Sequence, residues 1–226
     1  MLVNCIIQAR MSSKRLYGKV LKKINGEEIL KHVLNQVKKT KFITSVIVAT
    51  SKNKEDDKIE LFCKKNNIKL YRGSLNNVYL RYKKLINENN CDYFIRICAD
   101  SPLIEVNIIN QILKIAKKNK FQKEIYTNIF PRTFPKGLSV EMINTNTFLK
   151  SYKKIRLNYH KEHITSYFYK NYMYFKILNY KSVVDYSDIN FSIDTKNDFN
   201  KVKRLIKIKG FLKKKLKEKV NIYKSI

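Results

Sequence analysis

The sequence predicts an α/β protein, a mostly parallel sheet with helices on both faces. Two observations carry this. Short apolar, β-branched runs alternate four times with stretches of helical spacing, and the connections between them are short. The apolar runs are near-continuous, as strands covered on both faces require. A chain of 226 residues suits one domain with at most a small appendage, and 44% apolar with 29% charged residues is a globular composition.

The elements follow in order. Val3–Ala9 reads as the first buried strand. Glu27–Thr40 reads as a helix with Ile29, Leu30, Val33, Leu34 and Val37 on one face. Ser45–Ala49 is a second strand. Lys54–Asn67 is a helix whose first turn holds Glu55, Asp56 and Asp57, where the helix dipole favours acids. Lys69–Tyr71, Asn76–Asn87, Tyr93–Cys98 and Glu105–Lys118 continue the alternation as strand, helix, strand, helix. Residues 121–145 hold Pro131, Pro135 and Gly137, and read as an irregular excursion with one strand near Leu138–Ile143. Thr145–Lys154 and Glu162–Asn171 then read as helices, and Tyr172–Asn179 and Asn190–Ile193 as strands. Asp194–Lys207 reads as a last helix with Thr195 as a candidate cap. Residues 1–208 thus form the expected domain, and 209–226 a basic tail, either helical or disordered.

Composition excludes some classes. No stretch of about 20 apolar residues is present, so no membrane-spanning helix is expected. The start lacks the features of a secretory signal. Cys5, Cys63, Cys91 and Cys98 are scattered and form no CxxC, which predicts free thiols in a reducing cytoplasm. The formal charge of +30 invites a nucleic-acid reading. Yet only eight of the 48 basic residues are arginine, and the lysines are spread over the chain with no RNA- or DNA-binding motif. We read the excess as composition bias, with no specific nucleic-acid partner.

Four stretches could carry chemistry. The first is IIQARMSSKRLYGKVL, residues 6–21, where Arg10, Lys14, Arg15 and Lys19 fall within ten residues among Ser12, Ser13 and Gly18. Such a loop suits a polyphosphate: arginine gives bidentate contacts, lysine point charges, and the backbone N–H groups bind anions. It follows the first strand, so it lies at the carboxyl edge of the sheet, where ligands bind in this architecture. The second is RICADSPLI, where Asp100 follows the fourth strand and is placed for a divalent cation. The third is NFSIDTKNDF, where Asp194 again ends an apolar run. If that run lay beside the fourth strand, the two aspartates could share one metal; the plainer reading is helix capping. The fourth is HKEHITSY, with His160 and His163 around Glu162. Without further ligands it suggests substrate contact or a helix start, not a metal site.

Taken together these stretches resemble the acylneuraminate cytidylyltransferase superfamily, in its branch of SpsF-type spore coat polysaccharide biosynthesis proteins. The first loop matches that family's opening pattern, with Ser12 in place of glycine, Lys14 of threonine and Tyr17 of proline. VATS at 48–51, DD at 56–57, YRGS at 71–74, RY at 81–82, GLSVE at 137–141, EHIT at 162–165 and IDTKNDF at 193–199 follow in order. The likeness runs from about residue 3 to 208. Leu75, Asn76, Asn77 and Leu80 stand where the family is acidic.

The resemblance implies a Rossmann-like nucleotidyltransferase fold and a cytidylyltransferase reaction: CMP passes from CTP to an acidic sugar, pyrophosphate leaves, and Mg2+ is required. It implies Arg10, Lys19 and Asp100 as catalytic residues. Ala9, Arg10, Ser12, Ser13, Arg15, Lys19 and Arg72 would bind the nucleotide, Glu141 and His163 the acceptor, and Asp100 and Asp194 the metal. It also implies a cytoplasmic enzyme of surface polysaccharide biosynthesis and a homodimer, with 121–185 as the dimer- or acceptor-facing segment. The rival expectation is a glycosyltransferase consuming a nucleotide sugar; a more distant one is a basic nucleic-acid-binding protein.

Overall fold

The computed structural model describes residues 1–226. β1 (Val3–Gln8) leads through a one-turn 3-10 helix at Lys19–Leu21 to a small hairpin, β2 (Lys23–Ile24) and β3 (Glu27–Glu28), and then to α1 (Ile29–Val37). β4 (Ser45–Ser51) and α2 (Asp57–Lys65) follow, then β5 (Lys69–Gly73) and α3 (Val78–Glu88), then β6 (Tyr93–Cys98) and α4 (Val106–Lys118). The second half holds β7 (Ile125–Thr127), β8 (Glu141–Asn144), α5 (Thr145–Ser151), α6 (Asn158–Glu162), α7 (Ser166–Lys170), β9 (Ile177–Asn179), α8 (Lys196–Lys207) and α9 (Leu216–Lys224).

Seven strands form one sheet in the order β5-β4-β1-β6-β8-β7-β9. β5, β4, β1 and β6 are parallel, and β8 pairs antiparallel with both β6 and β7. β1 lies inside the sheet between β4 and β6, and its residues alternate between two cores. Cys5, Ile7 and Ala9 pack with the apolar faces of α1, α2, α4 and α8. Ile6 packs on the other face with Val78, Tyr79 and Tyr82 of α3 and Phe148 and Phe168 of α5 and α7. This double covering is why the first four strands are apolar almost throughout. In register, Gln8 stands opposite Ala49 of β4 and Cys98 of β6. The loops after β1 and β6 therefore leave the sheet side by side.

The later segments differ from expectation, each for a local reason. Asn190–Ile193 is not a strand of the sheet. Only Asn190 bridges to Lys136, because the Asn190 side chain accepts from the N–H and hydroxyl of Ser192 and competes with ladder bonds. The single helix expected at 162–171 is broken between α6 and α7, where Ser166 turns its hydroxyl onto the carbonyl of His163. Tyr172–Tyr174 is a 3-10 turn, and only Ile177–Asn179 of the expected strand joins the sheet. β7 lies inside the stretch read as irregular; three buried residues are too few to show a period. Residues 209–226 fold back as helix: Phe211 and Val220 are buried in the larger core, and Lys219 pairs with Glu105 at 2.8 Å.

Candidate active site

The carboxyl edge of β1 opens into a loop held in a fixed shape. The Met11 carbonyl accepts from the N–H groups of Ser13 at 2.8 Å and Gly18 at 2.9 Å. Gly18 takes φ +65°, a conformation glycine adopts without a Cβ penalty. The loop is fastened to its neighbour by Asp56, 1% exposed, whose carboxylate accepts from the N–H of Met11 at 2.7 Å and that of Ser51 at 3.0 Å. The sequence marks Asp56 as a first-turn acid of the second helix and as half of the DD pair; the structure makes it the strut of the loop.

Three of the four loop cations meet carboxylates. Lys19 is 8% exposed, and its ammonium donates to Asp100 at 2.6 Å and to Asp194 at 2.8 Å. Arg15 lies 3.2 Å from Asp194, and Arg10 lies 3.2 Å from Glu162. Two aspartates 94 positions apart in the chain thus converge on one ammonium group. Burial pulls the Lys19 pKa down, but Asp100 and Asp194 outweigh it and leave it raised. Burial pushes the Asp194 carboxyl up, and Lys19 and Arg15 outweigh it, holding it below the usual carboxylate range.

Backbone bonds deliver Asp194. The Lys136 N–H donates to Ile189 at 2.9 Å, the Phe191 N–H to Lys136 at 2.8 Å, and the Ile193 N–H to Asp100 at 2.9 Å. Gly137 lets the two segments touch: at φ +90°, a Cβ there would lie 2.5 Å from the Ser192 nitrogen. Capping falls to other residues. Thr195 caps α8 in a capping box with Asp198, and Asp198 also accepts from the Asp194 N–H, so the Asp194 carboxylate is left to face the cleft. Asp100 caps nothing; α4 starts after Glu105, five residues further on.

These groups wall a cleft of about 790 Å³. Of the expected site residues, Ala9, Arg10, Ser12, Ser13, Arg15, Lys19, Asp100, His163 and Asp194 line it. Arg72 and Glu141 do not. Arg72 is used to tie β5 to α2, with Asp57 at 2.7 Å, Glu60, and the carbonyls of Ser51 and Asn53 around it. Glu141 is 1% exposed and paired with Arg96 and the Tyr169 hydroxyl. The sequence patterns single out none of Gln8, Leu75, Asn76, Arg81 and Cys98 as cleft residues, and they pass over Glu162. Arg81 and Glu162 stand in the RY and EHIT motifs, which could have flagged them.

The residues fit a magnesium ion. No group of three or more His, Cys, Asp or Glu side chains converges anywhere, so the protein alone offers no closed metal cage. Two carboxylates already meeting on one cation are the donor set Mg2+ uses when substrate phosphates and water complete its shell.

Residues 4–225 match a family model described as Cytidylyltransferase. A solved cytidylyltransferase from Leptospira borgpetersenii shares 32% identity with a TM-score of 0.93, over 100% of this chain and 94% of that one. The spore coat polysaccharide biosynthesis protein SpsF of Bacillus subtilis is 27% identical over 212 residues, 91% of this chain and 86% of its own length. A 3-deoxy-manno-octulosonate cytidylyltransferase of Fusobacterium nucleatum is 33% identical over 115 residues, 51% of this chain and 46% of its own. No helix is long and apolar enough to cross a membrane.

Proposed function

The chain belongs to the cytidylyltransferase family, and from that membership we propose that it transfers CMP from CTP to an acidic sugar, releasing pyrophosphate, in the building of a surface polysaccharide. The observation that carries this reading is the convergence of Lys19, Asp100 and Asp194 beside the cationic loop. Arg10, Arg15 and Lys19 would take the β- and γ-phosphates, exchanging the chain's own carboxylates for phosphate oxygens. The Ser12 and Ser13 hydroxyls and the backbone from Ala9 would hold the nucleotide against the loop. Asp100 and Asp194 would hold Mg2+, which when bound neutralises charge on the phosphate undergoing transfer. His163, which lines the cleft next to Glu162, would meet the acceptor.

The reaction asks for little covalent chemistry from the protein. The acceptor oxygen attacks the α-phosphorus in line, the bond to the bridging oxygen of pyrophosphate breaks, and the residues supply alignment and countercharge. The acidic acceptor suits a wall that keeps Lys14, which pairs with no carboxylate, beside Arg10 and His163. Glu141 and Arg72 are outside this lining, each held in an ion pair of its own.

The test is a pyrophosphate-release screen of CTP, UTP, GTP and ATP against a panel of acidic sugars, with and without Mg2+. CTP-specific, Mg2+-dependent pyrophosphate with one acceptor is expected. Free nucleotide released from a preformed nucleotide sugar, with no pyrophosphate from CTP, would instead establish the glycosyltransferase.

A further inference from the structure

One side chain in the cleft has no use in the proposed reaction. Arg81, in the first half of α3, lines the cleft and is 1% exposed, yet no protein acceptor reaches its Nε, Nη1 or Nη2. Arg96, a less buried arginine, is by contrast satisfied by Glu141 and Gln8. Asp56 is the one carboxylate whose charge Arg81 feels, and its oxygens are taken by the loop and by Ser51. Residues 74–80, which lead into Arg81, include no acid. Burial pulls the guanidinium pKa down, and Arg10 across the cleft pushes the same way. A dry guanidinium with five idle donors is a cost that folding does not recover within the chain. The fold nonetheless makes room for it: a Cβ on Gly73 would lie 2.8 Å from Arg81 Cγ.

Position narrows the ligand atom it awaits. β5, which leads into α3, is three strands from β6, which leads to Asp100. At about 4.8 Å per strand the two sides of the cleft are roughly 14 Å apart. A nucleotide with its reacting phosphorus beside Asp100 and Asp194 sends its base, the part farthest from that phosphorus, toward Leu75, Asn76 and Arg81. Cytosine offers two adjacent acceptors on its pairing edge, O2 and N3. Uracil offers O2 beside an N3–H donor. A guanidinium fork holds donors only, so it complements the first edge and opposes the second.

We propose that Arg81 reads the pyrimidine, donating two parallel hydrogen bonds to O2 and N3 of cytosine and so selecting CTP over UTP. This deepens the proposed function and rests on it. A buried donor left facing another donor is the kind of mismatch that gives strong discrimination, because the unpaired group cannot return to water.

Calorimetric titration of CTP, UTP and inorganic triphosphate, each with Mg2+, into the wild-type protein, Arg81→Met and Arg81→Lys tests it. Wild type is expected to favour CTP over UTP by at least about 10-fold. In Arg81→Met, CTP affinity should fall roughly 10- to 100-fold, to the UTP level, while UTP and triphosphate change less than about threefold. Arg81→Lys should follow Arg81→Met, since one ammonium cannot form the fork. A melting temperature of Arg81→Met at or above wild type shows that folding is not the cause, because the variant sheds a buried unpaired charge. Equal losses for CTP, UTP and triphosphate would assign Arg81 to a phosphate and overturn the inference. So would a CTP preference that survives in Arg81→Met, or a wild-type protein that binds CTP and UTP alike. Each of those leaves the transferase reading standing. A wild-type protein that binds none of the three probes ends both.

Discussion

Lys19 sits where charge is densest. It is nearly buried, and it neutralises two carboxylates that would otherwise face each other. Asp100→Asn keeps the volume and one hydrogen bond to Lys19 while removing a charge. We expect Mg2+-dependent turnover to fall at least about 100-fold with a melting temperature close to wild type, read by pyrophosphate release and calorimetry. Retained turnover would sink the metal assignment. Lys19→Met should lose turnover as well, for the opposite reason: Asp100 loses its counterion and Asp194 keeps only Arg15. Added Mg2+ should then raise its melting temperature more than it raises that of wild type, because the divalent ion takes over the ammonium's task. Asp100 and the cationic loop were legible in the sequence because charge that directly follows a buried strand emerges at the sheet's carboxyl edge; Asp194 follows no strand and reaches the cleft through the backbone bonds of 189–193 to Lys136 and Asp100. Arg72 and Glu141 were legible as unusual residues but not as to place. A motif records which side chain occurs and not which neighbour claims it first; here Glu60, Asp57, Arg96 and Tyr169 do.

At the level of elements, the clearest coupling runs from Gly137 to Asp194. The backbone of 189–193 is threaded between Lys136 and Asp100 by hydrogen bonds, with no room for a side chain at Gly137. Gly137→Ala forces a Cβ into the Phe191–Ser192 backbone and strains a left-handed residue, at a cost of about 2–4 kcal/mol. Denaturant unfolding should show that loss, and the activity remaining at low temperature should need more Mg2+, since Asp194 has moved. A second coupling is titratable. Hydrogen bonds from Lys64 and then Arg72 hold the Glu60 carboxyl below its ordinary range. A depressed folded-state pKa contributes stability above the unfolded value, about 4.3, that is lost as pH falls through the folded one. The melting-temperature gap between wild type and Glu60→Gln should therefore be open at pH 7 and narrow as the pH falls below the unfolded value. The first four strand–helix pairs could be read from sequence because each strand is buried on both faces and each helix on one. From residue 121 onward the strands are three or four residues long and lie toward the sheet edge, where periodicity has too little length to register.

For the whole molecule, the segment from Lys209 to Ile226 is part of the structure and not a trailing charge. α9 seats Val220 against the main core, the turn before it buries Phe211, and Lys219 reaches Glu105 at the start of α4. Ending the chain after Ile208 should cost about 4 kcal/mol or more from the two apolar side chains alone, measured by urea unfolding. Full stability in the shortened chain would show these contacts to be idle. The sequence left this segment open because seven of its residues are lysine, which masks a helix whose buried face is narrow.

The cleft carries its own counterions: Glu162 for Arg10, Asp194 for Arg15, and Asp100 with Asp194 for Lys19. A triphosphate arriving there is an ion-exchange event, and every carboxylate it displaces is left seeking positive charge. On the proposed reading, divalent cation and nucleotide would be linked thermodynamically, each tightening the other by the same factor, with the protein's acidic groups handed from one to the other.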